Sequence, residues 1–148
     1  VIERDVSLQA YITPATKVYA DLTSPLLGTI FFPNSPLHDG GVIIQGDKIT
    51  CAGAVFPTTM DMKFSKRLGT RHRAAIGISE ESDAIAIIVS EETGKVSIAI
   101  AGEIFRDLDA DSLRNKLAFL QKKTIDVNRY KSWKKGAGKH EKSKMGKA

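Results

Sequence analysis

The chain has 148 residues, 42% hydrophobic and 26% charged, the balance of one soluble globular domain and not of a disordered, collagenous or disulfide-stapled chain. No segment approaches the roughly 20 apolar residues that span a bilayer, and the single cysteine, Cys51, cannot close an intramolecular disulfide. The formal net charge of +5 sits at one end: residues 130–148 hold seven lysines and one glutamate, whereas residues 1–129 hold fifteen Lys+Arg against sixteen Asp+Glu, so the folded part is nearly neutral and the basicity belongs to a tail.

Residues 3–11 place Val6, Leu8 and Tyr11 near one face, a helical spacing that Pro14 interrupts. Residues 17–20 alternate as a short strand does. Residues 22–32 carry Leu22, Leu26, Leu27, Ile30 and Phe31 at helical spacing. Thr23 or Ser24 serves as cap, Pro25 fits the first turn and Pro33 ends the helix. Turn formers dominate 33–41. Residues 42–45 and 49–56 read as two strands joined by a Gly46-Asp47 hairpin. Cys51 lies inside the second as a small core residue. Residues 57–66 are polar and irregular. Residues 71–79 read as a helix capped by Thr70, with Ala74, Ala75 and Ile78 inward. The run 84–90 is almost wholly apolar and β-branched, the pattern of a central strand. Glu92-Thr93-Gly94 then turns the chain into a strand over 96–101. Asp109 or Asp111 caps a last helix lined by Leu113, Leu117 and Leu120. Strands and helices interleave, so the expected fold is α/β, with a mixed central β-sheet flanked by helices. Residues 1–123 form the expected domain, and 124–148 a basic, disordered tail. The chain starts at Val1, without a leader, and reads as a piece of a longer protein.

Three polar clusters interrupt apolar surroundings. Leu37-His38-Asp39-Gly40-Gly41 directly precedes a strand. Adjacent His38 and Asp39 can give a divalent metal one nitrogen and one oxygen, or supply a carboxylate base. Gly40 and Gly41 permit positive φ and leave the backbone open to a ligand, and they are equally what a tight turn needs. Gly69-Thr70-Arg71-His72-Arg73 opens a helix. Free N–H groups and the positive field there favour a phosphate, and arginines at that end oppose the dipole unless an anion is bound. A solvated basic turn, ion-paired to Glu80, Glu81 and Asp83, is the alternative. Ser90-Glu91-Glu92-Thr93-Gly94 ends the apolar strand, where α/β sheets gather ligands. It is equally an ordinary turn. No G-x-x-x-x-G-K-[ST] loop, dinucleotide fingerprint, zinc spacing or G-x-S-x-G elbow is present. The residues by themselves point to nucleotide or phosphate chemistry with a metal.

The first two clusters, in that order and at that spacing, resemble the DGA and RHR motifs of diadenylate cyclase domains, and the likeness runs over 5–121. The stretches 71–80 and 88–94 are similar to the membrane-anchored subclass rather than the DNA-scanning one. The resemblance implies a nucleotidyltransferase that condenses two ATP into cyclic di-AMP and two pyrophosphates. Each 3′-hydroxyl attacks the opposing α-phosphate across a head-to-tail homodimer, so a monomer is expected to be inactive. It implies Asp39, Arg71, His72 and Arg73 as catalytic residues. ATP is expected to contact Gly40, Gly41, Val55, Phe56, Gly69, Thr70, Arg71, His72, Arg73 and Ser90, with Val55 and Phe56 against adenine. Manganese, cobalt or magnesium is expected on His38, Asp39 and Glu92.

The resemblance also implies a full-length protein at the cytoplasmic face of a bacterial cell membrane, anchored through segments missing from this chain. Its implied partners are a regulatory membrane protein and a sugar-phosphate mutase. One departure stands out: Gly41 occupies the alanine position of DGA. That supports a second reading, a nucleotide- or cyclic-dinucleotide-binding module without turnover. A nucleic-acid-binding role for the lysine-rich tail is the third reading. It lacks interleaved aromatics beyond Tyr130 and Trp133, so no nucleic acid is expected.

Overall fold

The structure is a computed structural model that describes residues 1–65 and 67–121. In chain order its elements are α1 (Gln9–Ile12), β1 (Thr16–Asp21), α2 (Ser24–Ile30), β2 (Gly41–Gln45), β3 (Lys48–Ala54), α3 (Met62–Ser65), α4 (Thr70–Glu81), β4 (Ala86–Val89), β5 (Val96–Ile100), β6 (Glu103–Leu108) and α5 (Ala110–Gln121). The strands form two antiparallel sheets, ordered β1-β3-β2 and β4-β5-β6. Ile2 stitches them together, pairing parallel with Ile44 of β2 and antiparallel with Ile85 just before β4. The backbone N–H of Ile2 donates to Ile85 at 2.8 Å, and that of Glu3 to Ile44 at 2.9 Å. The expected mixed sheet is therefore present as two halves closed by the N-terminal segment.

Strand alternation sorts the apolar residues to two faces. Ile43, Cys51, Ala54, Ala86, Ile88 and Ala99 pack with Leu8, Ile12, Ala75, Ile76 and Ile78, so α1 and α4 cover one face of both sheets. On the other face Val42, Ile49 and Ala52 meet Ile30, Leu26 and Leu27 of α2. There Ile85, Ile98 and Ile100 meet Leu113, Leu117 and Leu120 of α5. This double coverage explains the almost wholly apolar run at 84–90. The run is not a central strand, however. The strand within it, β4, is an edge of its own sheet, β5 is the centre, and Ile2 covers the neighbouring Ile85.

Local chemistry sets several boundaries. Thr23 caps α2, its side chain accepting from the Leu26 N–H at 3.3 Å. Asp109 caps α5 by accepting from Ser112 at 2.7 Å. Gly46 takes φ +61 in the β2–β3 turn. Thr70 is not a cap. Gly69 holds that position without a side-chain bond, and Thr70 is the first residue of α4. The helix expected over 3–11 is reduced to the single turn α1, because residues near Ile2 are drawn into the sheets. Residues 57–66 contain the short helix α3. The segment after β3 lies directly on α4, where a Cβ at Gly77 would overlap the Pro57 carbonyl oxygen. Thr59 fastens it, its N–H donating to Arg73 O at 3.0 Å and its hydroxyl to Glu80 at 2.5 Å. The tail expected at 124–148 lies outside the described residues.

Candidate active site

The turn before β2 is built around Ser35. Its carbonyl accepts from the His38 N–H at 3.1 Å and contacts His38 Nδ1 at 2.6 Å. A carbonyl only accepts, so Nδ1 carries the hydrogen and Nε2 is left to other partners. Asp39 follows, exposed. Gly40 has φ +96, and a Cβ there would stand 2.8 Å from both Ala54 O and Gly53 C. On the facing strand Gly53 has φ +68, within a register shift of the β2–β3 pair. Two glycines thus let the Asp39–Gly40 backbone lie against β3, which fixes where the carboxylate starts.

Gly41 begins β2. A Cβ on it would sit 2.5 Å from Phe56 Cε2, so the Phe56 ring fills the space a methyl group would need. Phe56 also packs against Tyr11, with ring centroids 5.5 Å apart, and joins the α4-side core. The strand expected to run to Phe56 ends at Ala54. Beyond it Val55 is 79% exposed while Phe56 is half-buried, so the expected adenine-facing pair points into two different environments.

Arg71 reaches both other clusters from the first turn of α4. Its Nη2 donates to the His38 carbonyl at 3.4 Å, and its Nη1 pairs with Glu91 at 2.6 Å. His72 lines a cleft of about 180 Å³ with Ser90, Glu92, Thr93, Lys95, Arg106 and Asp107. Burial, and then the charge of Arg106, push its pKa below the usual histidine value. The imidazole is therefore neutral at pH 7 and acts through hydrogen bonds. The buried Nε of Arg73 has no hydrogen-bond partner among the described residues, which leaves that donor for a ligand. Ser90 closes the β4–β5 turn, its N–H donating to Lys95 O and its side chain accepting from Thr93.

The HDGG turn, the start of α4 and the β4–β5 turn thus meet through Arg71. The three expected metal ligands do not form one set: among the described residues no three His, Cys, Asp or Glu side chains are grouped to hold a metal. His38 and Asp39 precede β2, whereas Glu92 lies in the cleft beside His72. Lys95, Arg106 and Asp107 line that cleft without having been expected there. Glu91 stood in the expected turn cluster, but its pairing with Arg71 had no local signal. In sequence a lysine at a turn and an Arg-Asp pair read as solvated surface.

An α/β domain in which an arginine joins a glycine-backed turn to two other polar turns has the makings of a phosphate-binding site. Residues 1–104 match the family model described as DAC, DisA bacterial checkpoint controller nucleotide-binding, and the chain belongs to that family. It is 43% identical over 138 residues to a diadenylate cyclase of Listeria monocytogenes, covering 91% of this chain and 50% of that protein. It is 46% identical over 128 residues to the cyclic di-AMP synthase CdaA of Bacillus subtilis, covering 86% and 47%. The chain spans about half the length of these curated relatives. Among solved structures, DacA from Staphylococcus aureus, a double mutant, superposes with a TM-score of 0.77 at 46% identity, over 79% of this chain and 78% of that one. A Bacillus cereus protein described as a hypothetical membrane spanning protein superposes with a TM-score of 0.67 at 43% identity, over 73% and 53%.

Proposed function

We propose that this domain condenses two ATP molecules into cyclic di-AMP, releasing two pyrophosphates, in a head-to-tail homodimer. The observation that carries the reading is Arg71, which ties the HDGG backbone to the start of α4 and to the β4–β5 turn. It is supported by relatives named diadenylate cyclase and cyclic di-AMP synthase.

In each half-reaction the 3′-oxygen of one ATP forms a bond to the α-phosphorus of the other. The bond from that phosphorus to the bridging oxygen breaks, and pyrophosphate leaves. Asp39 is exposed in the turn before β2 and, on this reading, takes up the hydroxyl proton. Arg71 and Arg73 hold phosphate oxygens, Arg73 with its unpartnered Nε. Neutral His72 adds a hydrogen bond, and Gly69, Thr70 and Ser90 add backbone N–H or hydroxyl donors. Gly40 and Gly41 admit the nucleotide close to the backbone, and exposed Val55 offers an apolar surface to adenine. Since one domain holds one nucleotide, two must face each other before any bond can form.

The donors suit a divalent cation in kind, His38 with a ring nitrogen and Asp39 and Glu92 with oxygens, but they stand in two separate places and would close around it only with the triphosphate. Manganese, cobalt or magnesium held there with the triphosphate would offset phosphate charge. His38–Asp39 and Glu92 would hold it from separate sides. No helix among the described residues is long and apolar enough to cross a membrane. Membrane attachment, which a neighbour described as membrane spanning supports, belongs on this reading to other segments. A regulatory membrane protein and a sugar-phosphate mutase would act on that full-length form.

The test is incubation of the 148-residue chain with ATP and manganese, followed by mass analysis. Cyclic di-AMP with pyrophosphate is expected. Binding of ATP with no product at high protein concentration would instead establish the non-catalytic binding module. Gly41 does not itself favour that module, because Phe56 occupies the space of the missing methyl group.

A further inference from the structure

The β5–β6 pair is irregular where it borders the cleft. Between the partners Val96↔Leu108 and Ile98↔Phe105, β5 advances two residues and β6 three. The extra residue forms a bulge at Arg106–Asp107, and Asp107 takes φ +58, a left-handed conformation uncommon outside glycine. In a regular strand consecutive side chains point to opposite faces. Here Arg106 and Asp107 both line the same cleft. The bulge therefore costs backbone strain and delivers a guanidinium to the wall facing His72.

The charges there are unusual for a merely structural feature. Arg106 forms no ion pair among the described residues, although Asp107 is its neighbour. Asp107 is turned instead to Lys95, 4.0 Å away. Arg106 lies close enough to His72 to disfavour its protonation. Two cations, two hydroxyls and a neutral imidazole surround the opening, with the carboxylates of Glu92 and Asp107 beside them. A bare anion would be repelled by Glu92, whereas a polyphosphate carrying a divalent cation satisfies both signs of charge. The cleft of about 180 Å³ is smaller than the roughly 300–1,000 Å³ of pockets that take whole ligands. It suits one end of a nucleotide.

We infer that Arg106, with Lys95 held at the rim by Asp107, clamps the terminal phosphates of the bound nucleoside triphosphate and so holds the pyrophosphate that leaves. The inference rests on the ATP-condensing reading and adds to it the groups that grip the leaving end. Asp107 is a positioning residue, since it acts through the bulge and through Lys95.

The experiment is calorimetry on the 148-residue chain with manganese, using 3′-deoxyadenosine triphosphate and 3′-deoxyadenosine monophosphate. Neither can condense, so binding is read without turnover. Arg106→Ala should weaken triphosphate binding about tenfold or more while monophosphate binding stays within about twofold. Lys95→Ala should weaken the triphosphate by about threefold, its charge being shared with Asp107. Arg106→Lys should fall between wild type and Arg106→Ala. A thermal unfolding midpoint for each variant separates lost binding from lost folding, and Arg106→Gln stands in should Arg106→Ala unfold. If Arg106→Ala weakens both nucleotides equally, or neither, the clamp is wrong and the condensing reading stands. If the wild-type chain binds no triphosphate, the condensing reading falls, and the clamp with it.

Discussion

The Arg71 guanidinium holds the Glu91 carboxylate at 2.6 Å while its second terminal nitrogen reaches the His38 carbonyl at 3.4 Å. One planar group thus sets the spacing between the turn that carries Asp39 and the turn that carries Glu92. A lysine cannot reproduce this, because its ammonium is a single point on a flexible stem. Arg71→Lys should lower the rate of cyclic di-AMP formation by about 100-fold. Its effect on stability should stay below about 1 kcal/mol, since the paired side chains are 37% and 67% exposed. Glu91→Gln should cost less activity, because the His38 contact remains. Rates from product mass analysis, with urea midpoints alongside, check both. A lysine variant at the wild-type rate would remove Arg71 from the site.

Gly41 and Phe56 should behave as a coupled pair. A methyl group at position 41 would stand 2.5 Å from Phe56 Cε2, and the ring is also held by Tyr11. Gly41→Ala should therefore cost about 1–2 kcal/mol as the ring is displaced. In a Phe56→Leu background, where the shorter side chain leaves room, the same change should cost less than about 0.5 kcal/mol. A double-mutant cycle by denaturant unfolding measures the difference. Additive values would mean that ring and glycine do not share the space.

How far these features were legible depends on whether their cause is local. The Thr23 cap, the Gly46 turn and the Asp109 cap each depend on a few neighbouring residues, so the sequence placed the turn and narrowed each cap to two candidates. The clusters at 37–41 and 69–73 were visible because polar residues break apolar runs. Strand β6 was not, since its bulge breaks the alternation that marks a strand. The edge position of β4 was hidden for a different reason. An apolar run reports burial on two faces, not the number of hydrogen-bonded neighbours, and Ile2 supplies the missing neighbour from a distant point in the chain. Thr70 was misplaced by one residue because Gly69, with no side chain to mark it, holds the cap position.

Two glycines in helices should respond oppositely to alanine. At Gly77 a methyl group would overlap the Pro57 carbonyl, whose segment is fastened to α4 by Thr59. The backbone cannot yield without releasing that anchor, so Gly77→Ala should destabilise by about 3 kcal/mol. At Gly28 in α2 nothing lies within 4 Å of the added atom. Gly28→Ala should therefore stabilise by about 0.5–1 kcal/mol through helix propensity alone. Urea unfolding of both variants checks the contrast, and equal effects would contradict the packing of the Pro57 segment on α4.

His72 should make stability fall on the acid side. Burial and the nearby Arg106 hold its pKa below the ordinary value of about 6.5. The charged groups around the cleft are Glu92, Lys95, Arg106 and Asp107. The folded state thus favours the neutral ring. Above about pH 6.5 the ring is neutral in both states, and its share of stability is fully present. As pH falls the unfolded chain takes the proton first, and that share is lost until the folded pKa is passed. Unfolding free energies at pH 7.5 and 5.5 should differ less in His72→Gln than in wild type. In Arg106→Ala the His72 imidazole should titrate at higher pH by NMR, because the second cause of the shift is gone. An unchanged titration would mean that Arg106 does not face His72, and the cleft would lose the wall on which its charge balance depends.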